Sequence, residues 1–185
     1  IKSIVRKDKS FFKNIRIRAV NDFHDNNLYI ESCASKISTI QQRIGKPDKL
    51  LFSFHGIPQS YICEDEPYQS QCLVTASLIA KKLNLNESQY EVAFQSRFGK
   101  AEWIKPYLSS RLEELPKEGI HNIHVFCPGF SSDCLETIDE IGRESKEEFF
   151  EHGGKSFEFI SCLNSEESFI NALMNIQKKA DIKIL

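Results

Sequence analysis

The stretch Leu50-Leu51-Phe52-Ser53-Phe54, followed by His55-Gly56-Ile57-Pro58, decides how this chain folds. A short, almost continuous apolar run that ends at a glycine and a proline is typical of a strand buried on both faces. Strands of this kind form parallel sheets whose faces are covered by helices. Ligands bind at the carboxyl ends of such strands, so His55 lies where a functional side chain is expected.

Three more short runs have the same character, and they lie at residues 90–94, 120–126 and 156–160. Apolar residues at helical spacing surround and separate the four runs. This alternation predicts an α/β fold, with a flavodoxin- or Rossmann-like four-stranded parallel sheet and helices on both faces. The helices are predicted over residues 28–44, 67–83, 101–115 (with a break at Pro106 left open), 132–152 and 165–180.

The bulk composition is that of one ordinary globular domain: 185 residues, 41% hydrophobic and 27% charged. A net charge of −2 gives no general case for nucleic acid. No apolar run is long enough for a transmembrane helix, and the start lacks a signal peptide. Six cysteines without a C-x-x-C pair indicate reduced thiols, which predicts a cytoplasmic protein. Glycine-rich phosphate loops are missing, so no nucleotide cofactor is predicted.

The charges are unevenly distributed along the chain. Residues 1–20 carry seven Lys or Arg and one acid, whereas residues 131–152 carry eight acids and two bases. The basic start indicates contact with an anionic membrane surface, contact with another part of a larger protein, or a solvated edge. The sequence lacks an initiator methionine, so we interpret the chain as a fragment or a processed product.

His55 is the first candidate for chemistry. A neutral imidazole accepts a proton or binds a metal near pH 7. Gly56 behind it allows a sharp turn and the close approach of a flat ligand. The alternative is a histidine that only bonds a backbone carbonyl, and position alone does not decide between the two.

Glu136, Glu140 and Glu144 follow one another at helical spacing, so an α-helix places them on one face. A row of carboxylates repels unless it is solvated, protonated or bound to cations. A solvated face is the commoner explanation, and Glu136 also fits a capping box with Asp133. Cys134 beside the row offers a soft metal ligand or a packing thiol. Trp103 offers a ring face to a flat ligand or a core anchor.

These motifs, taken in order, resemble the carboxyl-terminal half of ferrochelatase of the bacterial type, the enzyme that inserts Fe(II) into a porphyrin. The resemblance covers nearly the whole chain, from about residue 15 to about residue 175. It rests on Leu51–Pro58, Pro67-Tyr68 with Gln71-Cys72 and Thr75-Ala76, Phe94–Gly99 with Trp103, Cys127–Phe130 with Asp133–Thr137, and Cys162–Asn164.

The resemblance implies roles for single residues. His55 and Glu136 are the catalytic and metal-binding pair, with His55 accepting a pyrrole proton or receiving the metal. Glu140 and Glu144 form a relay for protons or metal ions, which favours function over a solvated row. The substrate pocket is expected to include Trp103, Cys134, Ser53, Gln95 and Pro128.

The resemblance also implies a chelatase-like domain over residues 1–185, with residues 1–14 as a basic lead-in. The amino-terminal half of the enzyme is absent from this sequence, so we expect little activity from the chain alone. Fe(II) is the expected substrate metal, protoporphyrin IX or coproporphyrin III the substrate, and haem the product. The amino-terminal half is an expected partner, and peripheral membrane contact is a further expectation. No cysteine cluster follows residue 165, so no iron–sulfur cluster is predicted.

Two alternatives stay open. One is a related chelatase that loads cobalt or nickel into a tetrapyrrole. The other is a non-catalytic haem- or metal-binding module, which the absent half favours and the intact pair of His55 and Glu136 disfavours. Shared architecture with flavodoxin-like electron carriers is fold analogy and carries little weight.

Overall fold

A computed structural model describes residues 18–63, 66–178 and 182–183. The basic lead-in predicted over residues 1–14 lies outside these ranges. The described chain forms a four-stranded sheet and a separate pair of two-residue strands. The strands are β1 (Arg18–Ala19), β2 (Lys49–His55), β3 (Tyr90–Gln95), β4 (Asn122–Phe126), β5 (Ser156–Ile160) and β6 (Ile182–Lys183).

The helices alternate with the strands of the main sheet, as the sequence predicts. A short 3₁₀ helix at Gln59–Tyr61 follows β2. A π-helix at Glu140–Ser145 interrupts the segment between β4 and β5. The α-helices are α1 (Asn27–Ile44), α2 (Tyr68–Lys82), α3 (Leu108–Lys117), α4 (Leu135–Ile138), α5 (Lys146–Glu151) and α6 (Glu167–Lys178).

The main sheet has the order β3-β2-β4-β5, and all three of its strand pairs are parallel. Alternate residues of β2 face opposite sides, because side chains alternate along a strand. Phe52 and Phe54 pack with α1, α2 and α6 on one side, whereas Leu51 packs with α3 and the π-helix on the other. The prediction of a parallel α/β sheet covered on both faces is therefore confirmed.

The helix predicted over residues 101–115 is wrong in its first half. The chain here is extended: Trp103 bridges to Pro58, Tyr107 bridges to Phe94, and α3 begins only at Leu108. Lys105-Pro106 is a cis peptide bond. The residue before a proline is biased away from helical dihedrals. The helix therefore begins after Pro106 instead of bending at it.

The helix predicted over residues 132–152 is also different in detail. It begins at Leu135 and is divided into α4, the π-helix and α5. A π-helix has more residues per turn than an α-helix, so the relative directions of Glu136, Glu140 and Glu144 differ from those of an ideal α-helical row. Because these acids are candidate site residues, the π-helix changes the geometry of the candidate site.

Candidate functional site

The carboxyl ends of β2, β3 and β4 meet at one edge of the sheet, where the predicted motifs come together. His55 ends β2 and lies in register with Gln95, which ends β3. The loop after β4 begins at Cys127 and leads to α4. The parallel register therefore brings three stretches that are distant in the sequence to one surface.

His55 is half-buried, and one of its two ring nitrogens forms a hydrogen bond. Nδ1 lies 2.6 Å from the carbonyl oxygen of Gly56. A carbonyl only accepts, so Nδ1 carries the proton and the neutral ring keeps a lone pair on Nε2. The hydroxyl of Tyr68 donates to the His55 carbonyl oxygen at 2.7 Å and fixes the backbone. Within the described residues Nε2 forms no hydrogen bond, so the ring is oriented with this nitrogen available to accept a proton.

The neighbours of position 56 leave little room for a side chain. A Cβ there would lie 3.0 Å from the carbonyl oxygen of Gln95 and 3.1 Å from Cε3 of Trp103. Trp103 is buried, its ring centroid is 6.3 Å from that of His55, and its indole N–H donates to the Phe98 carbonyl oxygen at 3.1 Å. The buried Trp103 ring therefore packs next to the His55 ring.

Glu136 lies in the first turn of α4 and is exposed. A hydrogen bond from the Cys134 thiol lowers the pKa of the Glu136 carboxyl, and the nearby His55 makes a smaller electrostatic contribution. No Lys or Arg within the described ranges forms an ion pair with Glu136. The edge therefore presents an ionised carboxylate without a cation of its own.

Glu140 is held by neutral donors. Its carboxylate oxygens accept from the Ser96 backbone N–H and from the Ser96 hydroxyl, each at 2.6 Å. The backbone of Ser96 has φ of 63°, a left-handed conformation that directs its N–H toward the helix. Two neutral donors fix the direction of the carboxylate without neutralising its charge.

Gln95 connects these elements from beneath. Its side chain is buried, Oε1 accepts from the Ser53 hydroxyl at 2.7 Å, and Nε2 donates to the backbone carbonyl of Glu136 at 2.7 Å. Ser53 itself is completely buried. Both residues were predicted to line the substrate pocket; the structure places Gln95 in the lining of a polar cavity and Ser53 behind it, and Gln95 joins Ser53 to the backbone of α4.

The relay predicted from Glu140 to Glu144 lines one polar cavity of about 190 Å³. Glu148, one helical step further, lines the same cavity and was missed by the sequence interpretation. Desolvation raises the pKa of the Glu148 carboxyl. The signal was present, since the four-residue spacing of the acids continues to position 148. Glu144 is exposed and pairs with Arg143 at 3.0 Å, whereas Glu136 is absent from this cavity.

Pro128 belongs to a second, apolar cavity of about 270 Å³. Its carbonyl oxygen accepts from the buried hydroxyl of Tyr29, and Phe54 and Tyr68 line the same space. This cavity lies behind the loop that follows β4. The structure thus separates Pro128 from the polar cavity of the acidic row.

The surface around Glu136 is apolar although it is exposed. Leu135 and Ile138 flank it on α4 with exposures of 74% and 60%, and Phe98 is 73% exposed. The ring centroid of Phe130 lies 6.4 Å from that of His55. Exposed apolar side chains beside a carboxylate and an imidazole are suited to a flat, largely apolar ligand.

The sequence model of the Ferrochelatase family matches residues 1–181, which is nearly the whole chain. This chain belongs to the ferrochelatase family. Ferrochelatases from Janthinobacterium sp. (strain Marseille) and from Herminiimonas arsenicoxydans are 45% and 46% identical to it over 160 residues. These matches cover 86% of this chain and 44% of each relative. The chain therefore spans less than half the length of these relatives.

A solved structure described as SirB from Bacillus subtilis with Fe3+ has the same architecture. It superposes with a TM-score of 0.66 at 14% identity, over 97% of this chain and 64% of that chain. At this identity the similarity establishes the fold alone. The resemblance to the ferrochelatase family that the sequence motifs carry is confirmed by the family match.

Potential metal ligands form one compact group within the described residues: Asp22, His24 and Asp25 have donor atoms within 4.8 Å of one another. His55 and Glu136 are not members of this group.

None of the helices in the described part of the chain has both the length and the hydropathy to cross a bilayer.

Proposed function

We propose that this chain, residues 1–185, is the carboxyl-terminal half of a ferrochelatase, a lyase that inserts Fe(II) into a porphyrin in the terminal part of haem biosynthesis. The observation that carries the proposal is that His55 places Nδ1 on the Gly56 carbonyl oxygen and has no hydrogen bond at Nε2 within the described residues, at the same edge of a ferrochelatase-family chain as the exposed Glu136 carboxylate. Protoporphyrin IX and coproporphyrin III are both suitable substrates, because both present the same inner nitrogens.

The reaction has a simple proton balance. A free-base porphyrin carries two inner N–H groups, and Fe(II) replaces both protons. His55 accepts the first through Nε2, since its Nδ1 is already bonded to Gly56. Glu136 meets the metal from the other side, because an ionised carboxylate without a cationic partner is a suitable ligand for Fe(II).

The acidic row removes protons or delivers metal in this proposal. Glu140 is aimed by Ser96 and stays within 3.5 Å of the Gln95 amide. Glu144 continues the row along the same cavity toward its outer end. The neutral donors to Glu140 suit such a relay, because a fixed cation beside that carboxylate would compete with the incoming metal. The cation that pairs with Glu144, Arg143, is exposed to solvent.

The remaining part of the enzyme belongs to a partner segment. The chain spans 44% of the relatives it matches, so most of a porphyrin cleft and its propionate contacts lie outside it. The isolated chain accordingly has little or no activity and needs an amino-terminal half. A cytoplasmic location, and membrane contact through residues 1–14, stay predictions that rest on the sequence.

The test is anaerobic Fe(II)-dependent conversion of protoporphyrin, followed by its absorbance, with and without an amino-terminal half taken from a 45% identical relative. We expect turnover only with the added half and its loss in His55→Ala and Glu136→Ala. His121→Ala and Glu147→Gln are matched controls, because both residues lie outside the site, and they should keep full turnover.

The contrary outcomes separate the alternatives. Turnover by the chain alone at the rate of the assembled enzyme would contradict the need for a second half. Failure with Fe(II) but turnover with Co(II) or Ni(II) would identify a chelatase for another metal. Tight retention of haem without any turnover, in halves shown to associate, would identify a binding module.

A further inference from the structure

Asn164, in the loop after β5, forms a reciprocal pair with Asp133, which lies just before α4. Its Oδ1 accepts from the Asp133 backbone N–H at 2.8 Å, and its Nδ2 donates to Asp133 Oδ2 at 2.7 Å. Its own backbone N–H donates to the Ser131 carbonyl oxygen at 3.0 Å. Three hydrogen bonds from one residue thus tie the loop after β5 to the loop that carries the site.

The backbone of Asn164 is shaped for this contact. Its φ is 50°, in the left-handed region that asparagine adopts more readily than most residues. The other carboxylate oxygen of Asp133 accepts from the Cys162 backbone N–H at 2.9 Å. Desolvation acts to raise the pKa of Asp133, but the hydrogen bonds from Asn164 and Cys162 outweigh it, and the pKa is lowered.

The pair holds the turn in which Glu136 lies. Thr137 is completely buried, and its hydroxyl is 3.3 Å from the same Asp133 oxygen that bonds Cys162. Thr137 Oγ1 also accepts from the Cys134 backbone N–H at 2.9 Å. Thr137, the residue after Glu136, is therefore hydrogen-bonded both to Asp133 and to the Cys134 backbone, and Asp133 is hydrogen-bonded to Asn164.

We propose that Asn164 is a positioning residue, which acts through Asp133 to aim the Glu136 carboxylate at the metal. This inference rests on the proposed function, since it assumes that Glu136 is a metal ligand. Asn164 lies in a short motif that the sequence brings to notice without giving it any chemistry. Outer hydrogen-bond partners of metal ligands tune affinity because they restrict the direction of the ligand.

The test is Co(II) binding by this chain under anaerobic conditions, followed by titration calorimetry and by the visible d–d absorption of the bound ion. Asn164→Gly keeps the left-handed backbone and removes the amide. We expect it to lower Co(II) affinity about 10-fold or more and to weaken the d–d bands. Asn164→Asp, which faces Asp133 with a second carboxylate, should do the same. Adding Asp133→Asn to it restores a donor–acceptor pair and should recover most of the affinity.

The matched control is Asp48→Ala at the opposite edge of the sheet. The Asp48 carboxylate also accepts two backbone N–H groups, those of His121 and Asn122, at 3.1 and 2.9 Å. It should lower the melting temperature while Co(II) affinity and spectrum stay unchanged. If Asn164→Gly behaves in the same way, Asn164 is only structural and the inference is wrong.

Glu136→Gln separates this failure from failure of the proposed function. If Glu136→Gln weakens Co(II) binding and Asn164→Gly does not, only the positioning role is overturned. If Glu136→Gln leaves Co(II) affinity unchanged, the metal-binding role of Glu136 and the role of Asn164 are both overturned.

Discussion

The two edges of the same parallel sheet use charge in opposite ways. At the amino edge, the Arg111 guanidinium is mostly buried and contacts the carboxylates of Glu91, Glu114 and Glu118. The Asp48 carboxylate caps two backbone N–H groups nearby. Acids there are held by a cation or by backbone donors, and burial among such partners suits a structural role.

At the carboxyl edge, Glu136 and Glu140 have neutral partners instead, whereas the exposed Glu144 pairs with Arg143. Glu136 is bonded by a thiol and Glu140 by a serine, and within the described residues neither forms an ion pair with Lys or Arg. These neutral partners fix the direction of the two carboxylates without neutralising their charge. The comparison indicates that the amino edge stabilises the domain and the carboxyl edge holds its reactive groups.

The largest expected effect comes from removing the His55 side chain at the carboxyl edge. His55→Ala should lower kcat about 100- to 10,000-fold in the assembled enzyme, because it removes the base with a free Nε2. The free energy of unfolding should change by less than about 1 kcal/mol, since the ring makes one local hydrogen bond. Steady-state kinetics and urea unfolding on the same samples measure both. A large loss of stability would contradict the separation of the two edges.

Breaking the amino edge should give the reverse result. Arg111→Met leaves three carboxylates without their shared cation and should destabilise the domain by about 2 kcal/mol. Turnover per folded molecule should stay unchanged. Arg143→Met is the matched control: Arg143 also contacts three carboxylates, but its side chain is 52% exposed against 15% for Arg111. Its effect on the free energy of unfolding should be much smaller than that of Arg111→Met, because solvent screens exposed ion pairs.

A third variant sharpens the comparison within the carboxyl edge. Gly56→Ala places a methyl group against the Gln95 carbonyl oxygen and the Trp103 ring, and this crowding should cost about 1 kcal/mol. Any backbone shift that relieves this crowding also moves the Gly56 carbonyl oxygen that holds the His55 ring, so kcat should fall too. Gly142→Ala is the control, since its added methyl group meets Phe159 at 3.5 Å, an ordinary contact. Equal stability of the two variants would show that the packing at Gly56 is loose.

The strands and the edge on which the site lies could be predicted from the sequence. Buried parallel strands are nearly continuous apolar runs, so residues 50–54 and 90–94 are recognised from composition alone. His55 follows from the first run, because ligands bind where such strands end. These inferences need only local sequence and one rule of topology.

The errors lie where tertiary contacts decide the local structure. Residues 101–107 have a helix-like pattern, yet Trp103 and Tyr107 pair with Pro58 and Phe94, which are distant in the sequence. The π-helix at Glu140–Ser145 is a further departure from the predicted α-helix. The pocket roles of Ser53 and Gln95 stay predictions: Ser53 is buried, and Gln95 lines the polar cavity.

The smallest expected effect concerns Glu148. It tests whether a carboxylate of the acidic row lowers the stability of the domain, which the paired acids of the amino edge do not. Desolvation raises its pKa in the folded state above the ordinary value of 4.5, so the unfolded state ionises first as pH rises. Stability contributed by the protonated form is present below pH 4.5 and is lost as pH rises through the folded pKa. Glu148→Gln should therefore stabilise the domain by about 0.5 kcal/mol at pH 7 and have no effect at pH 4.

Urea unfolding at pH 4 and pH 7 measures this difference, with Glu87→Gln on the exposed loop between α2 and β3 as control. Equal stabilisation by Glu148→Gln at both pH values would assign the effect to packing rather than to ionisation. A pH-dependent gain for Glu148 alone would mean that the protein tolerates an unpaired, partly desolvated carboxylate beside the row. Such a loss of stability does not help folding, because Arg111 shows that acids at the other edge of the same sheet are paired with a cation. The gain would therefore favour a functional role for the row.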